Sequence, residues 1–370
     1  MSRSAFSRFG LGVLVVTFAC SSLVWGGTAS PNYKVLNPIS HGNLTIFPVV
    51  TSITHDTSRF ITLDEGIRSG EVVVTEGGRT SGLIRGPQHR IPVSRAQVNT
   101  LVLVNNSKRP LILLAGEIVI GGKQDRVVAK DRVIPAESDP VDFGVFCVEP
   151  GRWTETSAQF STMKSQMAQP SVRKEAMVAQ DQHRVWSSVG EANGAIAGAL
   201  AGSPAAMPGH PPSSYAKTFN DERVRKAIAD QAAPVEQSYS SSISQLRDQH
   251  AVGVVVAICG RLIWADLFAS TALLEKYWPK LVRSYAAEAI TTQRAAKPAT
   301  VSDAQQFLDR TEGNREVIEN EPGIYRQSET IAPNFKLFTL ASLLPGTGFD
   351  LHISKIADVN GYSPEIGKLQ

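Results

Sequence analysis

Apolar positions fall in short runs over the first 150 residues, and then their period changes. Asn43–Val50 (NLTIFPVV) reads as a strand. Thr62-Leu63-Asp64-Glu65 has the T-x-x-E form of a capping box, which opens a short helix closed by Gly70. Glu71–Thr75 (EVVVT) is a β-branched strand. Val98–Val104 is another, ended by the Asn105-Asn106-Ser107 turn. The runs Leu111–Ala115, Ile118–Ile120, Val127–Val128 and Val145–Val148 are strand-sized and are punctuated by Gly116, Gly121, Gly122 and Pro135. Residues 36–153 therefore read as a mostly antiparallel β core, either a sandwich or jelly-roll-like.

After Trp153 the composition turns helical. Thr154–Val189 is rich in Gln, Ala, Met, Lys and Arg, which predicts a long helix broken at Pro170. Asn193–Ser214 is dominated by Ala, Gly and Pro and reads as a flexible surface insertion. Asn220–His250 is helical again, and Ala251–Phe268 is a hairpin turning near Gly260. Ser270 can cap the next helix, where Leu274, Tyr277, Trp278, Leu281 and Tyr285 recur at helical spacing. Ser302-x-x-Gln305 predicts a second capping box, and Phe335–Leu340 and Phe349–Ile353 a last pair of strands. Helical and strand segments interleave without a clean boundary. The expectation is one α+β domain over residues 30–370: an antiparallel β-sandwich or jelly-roll-like core with flanking helices.

Residues 1–29 stand apart. Arg3 and Arg8 form a basic head, Gly10–Trp25 is apolar, and Gly26, Gly27, Thr28 and Ala29 are small, the order of a signal peptide. This predicts an extracytoplasmic mature chain, periplasmic or secreted. Cleavage would remove two arginines and no acid, so the formal charge falls from +3 to +1. A near-neutral chain gives no electrostatic reason to expect nucleic acid. No later stretch is long and apolar enough to predict a membrane span. Cys147 and Cys259 lie in apolar runs, as two buried thiols or, in an oxidising compartment, one disulfide. The seven histidines are scattered and no CxxC occurs, so neither a metal nor a cofactor is predicted.

The polar residues that a plain core does not need sit in Leu111–Trp153. Glu117 is flanked by LLAG and IVIGG. Burying a carboxylate alone costs several kcal/mol, so it needs a partner, and Arg126 and Arg152 are the nearest candidates. Glu117 and Arg126 are expected to be spatial neighbours across the Gly121-Gly122 turn. A buried structural pair and an acid/base group both fit that pattern. Gly122, Lys123, Gln124 and Arg126 suit a hairpin tip or a grip on phosphate or carboxylate. Glu149 and Arg152 bracket a Pro-Gly turn, and Trp153 can stack on a base or sugar or plug the core. Glu117 and Glu149 are the candidate general bases. Neither a P-loop nor a dinucleotide fingerprint is present.

LLAGEIVIGGKQDR, VIPAES and CVEPGRW together resemble the signature of a bacterial family, the ARG and rhodanese-phosphatase-superfamily-associated protein domain family. TLDEGIRSGEVVVTE, LVLVNNSKRPLILLAGE and VGVVVAICGRLIWADLFAS extend the resemblance over residues 36–358. The resemblance implies a link to ADP-ribose or NAD-derived chemistry but no defined reaction. Its motif positions here are Glu117, Gly122, Gln124, Arg126, Cys147, Glu149, Arg152 and Trp153. Three functions are consistent with these residues: binding of a small anionic ligand such as a nucleotide, ADP-ribose-like or sugar-phosphate group; metal-independent hydrolysis of such a ligand; and a non-catalytic envelope scaffold or interaction protein.

Overall fold

The computed structural model describes residues 32–77, 99–152, 154–201, 213–292 and 297–357. Residues 1–31, which include the stretch expected to be a signal peptide, and Trp153 lie outside the described residues. In chain order the first elements are β1 (Lys34–Val35), β2 (Ile39–His41), β3 (Leu44–Thr51), β4 (Ile61–Thr62), α1 (Leu63–Ser69) and β5 (Val72–Glu76). The central stretch supplies β6 (Thr100–Asn105), β7 (Leu111–Leu113), β8 (Glu117–Ile120), β9 (Arg126–Val128), β10 (Arg132–Ile134), β11 (Val141–Cys147) and β12 (Ser161–Met167). Then come α2 (Pro170–Lys174), a π-helical turn (Glu175–Ala179), α3 (Gln182–Leu200), α4 (Tyr215–Asn220) and α5 (Glu222–Ile243). β13 (His250–Ile258), β14 (Arg261–Phe268), α6 (Thr271–Thr291) and α7 (Val301–Asp309) follow. The chain closes with β15 (Asn314–Glu321), β16 (Tyr325–Ala332), β17 (Phe335–Ser342) and β18 (Asp350–Ala357). The fold is α+β with sandwich-like antiparallel sheets.

Local signals became local structure. Thr62 and Glu65 form the reciprocal capping box, and Gly70 closes α1 in the left-handed conformation. Ser270 Oγ accepts the Leu273 N–H at the start of α6. The five residues of the α6 stripe are all buried. β13 and β14 pair as the expected hairpin.

Sheet assignment was not local. The largest sheet runs β1-β3-β13-β14-β18-β17-β16-β15, with β2 also on β3. Thus β3 leaves the expected N-terminal β unit and pairs with β13, with Phe47 opposite Val255. The unit that remains has two sheets, β10-β7-β4 and β12-β8-β9-β11-β6-β5. Its own core includes Leu63, Val74, Leu103, Leu113, Val119, Phe143 and Phe160. A larger core lies where α3, α5 and α6 meet the long sheet, around Tyr239, Trp278, Leu281 and Tyr285. α7 covers the sheet's other face through Ala304 and Leu308.

Three helical expectations need correction. Ser161–Met167 is strand β12, paired with β8, rather than helix. Met163 and Met167 are buried, and pairing with β8 outweighs weak β propensity. Pro170 starts α2, at a position where its missing N–H costs nothing, instead of breaking a helix. Asn193–Leu200, expected within a flexible insertion, forms the last turns of α3 with Asn193, Ile196 and Leu200 buried. At its other end Ser214 is buried and caps α4, and residues 202–212 lie outside the described residues. The second capping box is Thr300 with Asp303, two residues before the predicted one. Gln305 instead bonds the Val35 N–H and the Tyr33 carbonyl, tying α7 to β1.

Candidate functional site

β8 and β9 form a short hairpin in which Ile118 opposes Val127 and Val119 opposes Arg126. The turn between them is glycine because the backbone is crowded as well as left-handed. At Gly122, with φ +51°, an added Cβ would lie 2.4 Å from Phe160 Cζ and 2.7 Å from Glu76 Oε1. Packed into that turn are five buried polar side chains: Glu76, Gln124, Asp125, Arg126 and Glu149.

Arg152 braces them. Its Nε donates to Glu149 Oε2, and Nη2 donates to Asp125 Oδ1 at 3.0 Å. Nη1 reaches the carbonyls of Gly122 at 3.0 Å and Thr154 at 2.9 Å. Gln124 Nε2 donates to the Glu149 carbonyl at 3.1 Å. Lys217 Nζ, on α4, stands 3.8 Å from Glu149 Oε1. Burial, together with the Glu149 charge, pushes the Asp125 carboxyl up to about 6, against the opposing Gly121 N–H and the arginines.

Arg126 is held more loosely. It is 2% exposed, yet Nη1 meets Gln124 Oε1 only at 3.4 Å and Nη2 meets Glu76 Oε1 at 3.9 Å. Among the described residues its buried Nε has no hydrogen-bond partner. A guanidinium is a five-donor fork, so a buried free donor on it is costly. Lys123 is exposed on the rim, and its backbone N–H donates to Glu76 Oε1 at 3.1 Å.

Glu117 is not part of this group, which corrects the expected pairing with Arg126 or Arg152. The register sets Glu117 one rung beyond the Ile118–Val127 pair, away from the turn. Its Oε1 lies 3.1 Å from Lys280 Nζ of α6, and its Oε2 accepts the Leu114 N–H at 3.0 Å. Lys280 also sits 2.7 Å from Asp64 Oδ2. Burial raises the Glu117 pKa against the opposing lysine. On Lys280, burial works against the charge, but Glu117 and Asp64 outweigh it and hold the ammonium above its usual value.

A third polar cluster escaped the sequence reading. Arg173 of α2 grips Asp266 of β14 with Nη1 at 2.8 Å and Nη2 at 3.0 Å. Its Nε donates to the Ala115 carbonyl at 3.0 Å. His352 of β18 bridges Asp131 at 2.6 Å and Asp266 at 3.1 Å, while Tyr285 and Ser354 also donate to Asp266. Burial opposes a charge on His352, but the two carboxylates overcome it and raise the imidazole to about 9. Asp266 is held far below the usual range because Arg173 and His352 outweigh its burial. The only signal in the sequence was a charged residue inside an apolar strand run, as in LIWADLF and FDLHIS.

The predicted site residues thus divide. Gly122, Gln124, Arg126, Glu149 and Arg152 converge, Lys123 stands at their rim, Glu117 belongs elsewhere, and Trp153 lies outside the described residues. Among the described residues neither Cys147 nor Cys259 is in a disulfide. Among the described residues no group of three or more His, Cys, Asp or Glu side chains could hold a metal ion. No helix among them is long and apolar enough to cross a membrane.

The family model described as the ARG and Rhodanese-Phosphatase-superfamily-associated Protein domain matches residues 32–354. The chain belongs to that family. No curated protein and no solved structure matches it.

Proposed function

We propose that this member of the family is an exported domain that binds a small anionic ligand, with its grip centred on Arg126 at the β8–β9 turn. One observation carries the reading: a guanidinium 2% exposed whose Nε has no partner and whose other contacts are long. Buried polar groups in native proteins are almost always bonded, so a free donor in a polar cluster points to an acceptor that arrives from outside. Entry requires the turn to yield. Gly121 and Gly122, at φ +139° and +51°, are the residues that absorb such a change most readily. Nucleotides, ADP-ribose-like compounds and sugar phosphates are the ligand classes to screen.

The test is thermal unfolding of the mature chain against such a panel, with mass spectrometry of anything that co-purifies. A ligand that stabilises the protein but not Arg126→Lys supports the reading. A panel without effect, or a response unchanged in Arg126→Lys, defeats it. Export is tested by sequencing the N-terminus, which should begin near Ser30; an intact Met1 on cytoplasmic protein defeats that part.

Hydrolysis has one observation in its favour, the Asp125 carboxyl raised to about 6 beside Glu149. Against it, Glu149 is clamped by Arg152 and Glu117 is neutralised by Lys280. Incubation with whichever ligand binds, followed by product analysis, separates turnover from binding.

A further inference from the structure

We propose that the ligand at Arg126 is a phosphorylated polyhydroxyl compound, a sugar phosphate, bound with its hydroxyls inward against Arg126, Glu76 and Asp125 and its phosphate outward at Lys123 and Lys217. The inference builds on the binding reading above and decides which end of the ligand goes where.

Charge balance carries it. The cluster holds three buried carboxylates, Glu76, Asp125 and Glu149, against the buried guanidinium of Arg126 and the partly exposed one of Arg152. A phosphate wants several converging donors and no neighbouring anions. Arg152 has already committed its nitrogens to Glu149, Asp125 and the carbonyls of Gly121, Gly122 and Thr154. That leaves Arg126 Nε as the interior's unpartnered cationic donor. One donor set among acids matches a hydroxyl, which can accept from Arg126 and donate its own proton to Glu76 or Asp125. A phosphate there would instead face both carboxylates without enough donors to offset them.

The rim has the opposite character. Lys123 is exposed, and the Lys217 side chain is 69% exposed while resting 3.8 Å from Glu149. Ammonium groups on flexible stems are suited to an anion reached from solvent. A ligand with both kinds of group can satisfy both zones, which neither a bare phosphate nor a bare sugar can do.

The experiment is binding calorimetry on the mature chain with ribose 5-phosphate, glucose 6-phosphate and glycerol 3-phosphate, their unphosphorylated parents, and inorganic phosphate. At least one sugar phosphate should bind, its parent at least about tenfold more weakly, and inorganic phosphate not measurably. Lys217→Ala should weaken the sugar phosphate about fivefold and leave its parent unchanged. Arg126→Lys should remove both. Should Arg126→Lys fail to fold, the exposed Lys217→Ala still decides the orientation. Inorganic phosphate binding as tightly as the sugar phosphate, or Lys217→Ala weakening the parent equally, overturns the orientation while leaving a ligand site standing. Binding of any of these probes that survives Arg126→Lys overturns both readings. Absence of binding by every phosphorylated probe overturns this ligand class, and the broader reading then stands or falls on the nucleotide panel.

Discussion

Two buried clusters in this molecule use the same chemistry but close it to different degrees. In one, Arg173 meets Asp266 through two bonds of 2.8 and 3.0 Å, and His352 closes the circuit to Asp131 at 2.6 Å. In the other, Arg126 lies among Glu76, Gln124 and Asp125 with contacts of 3.4–3.9 Å and a free Nε. The first joins α2, β14, β18 and the β9–β10 connection, so it fastens the long sheet to the smaller β unit. Two cations are matched there by two anions, and none of the four groups reaches solvent. The second sits at a hairpin turn, next to exposed lysines, with more acids than arginines. Burial of charge is thus not by itself a sign of function. A circuit whose donors and acceptors all close on each other is a staple; one with a spare donor beside an accessible rim is where a ligand can add something.

The sharpest break of that comparison is Arg173→Met. It leaves Asp266 without its main counter-charge and should cost about 3–5 kcal/mol in urea unfolding. Adding Asp266→Asn should recover part of the loss. A double variant as unstable as the single one would show that charge balance is not what the cluster contributes.

The next effect is pH. The folded His352 pKa is raised to about 9, so its contribution is fully present below the unfolded value near 6.5 and is lost as pH rises through 9. A shift of that size corresponds to roughly 3 kcal/mol. Lys355, lowered to about 8 by burial and by Arg310, acts in the opposite direction above that pH. The readout is therefore the stability difference between the parent and His352→Gln, which should shrink between pH 6.5 and 9. A difference that stays flat would mean His352 is neutral in the fold.

Arg126→Met should cost less, about 1–2 kcal/mol, because the bonds it gives up are long. A loss equal to that of Arg173→Met would erase the distinction between the clusters. Smallest is Asp125. Its pKa is raised to about 6, so its contribution is fully present below the unfolded value near 3.8 and is lost as pH rises through 6. Asp125→Asn should match the parent near pH 4 and exceed it by about 1 kcal/mol at pH 8, after allowance for solvent screening. An unchanged difference across that range would place the titration elsewhere.

Much of the chain was legible without coordinates because its signals are short-range. A capping box such as Thr62–Glu65 is read within four residues, as is the stop at Gly70. The α6 stripe is read within one helix, and the β13–β14 hairpin within one turn. Gly122, Gln124, Arg126, Glu149 and Arg152 stood out because polar groups between apolar strand runs must find partners, and they found one another. Family membership was likewise carried by motif residues in the chain itself.

What the sequence could not decide was which distant group each of these meets. Glu117 was recognisable as a carboxylate in need of a cation, but its lysine comes from residue 280, across a helix packed on the sheet. β3 was recognisable as a strand, but any strand can pair with any other through backbone groups that carry no label, and burial of both faces placed it beside β13. Ser161–Met167 became a strand through pairing with β8, and Asn193–Leu200 a helix through the core its stripe reaches. Local chemistry determined what each segment needs. Only the tertiary structure decided which distant group met each need, and it left the Arg126 Nε unpartnered among the described residues.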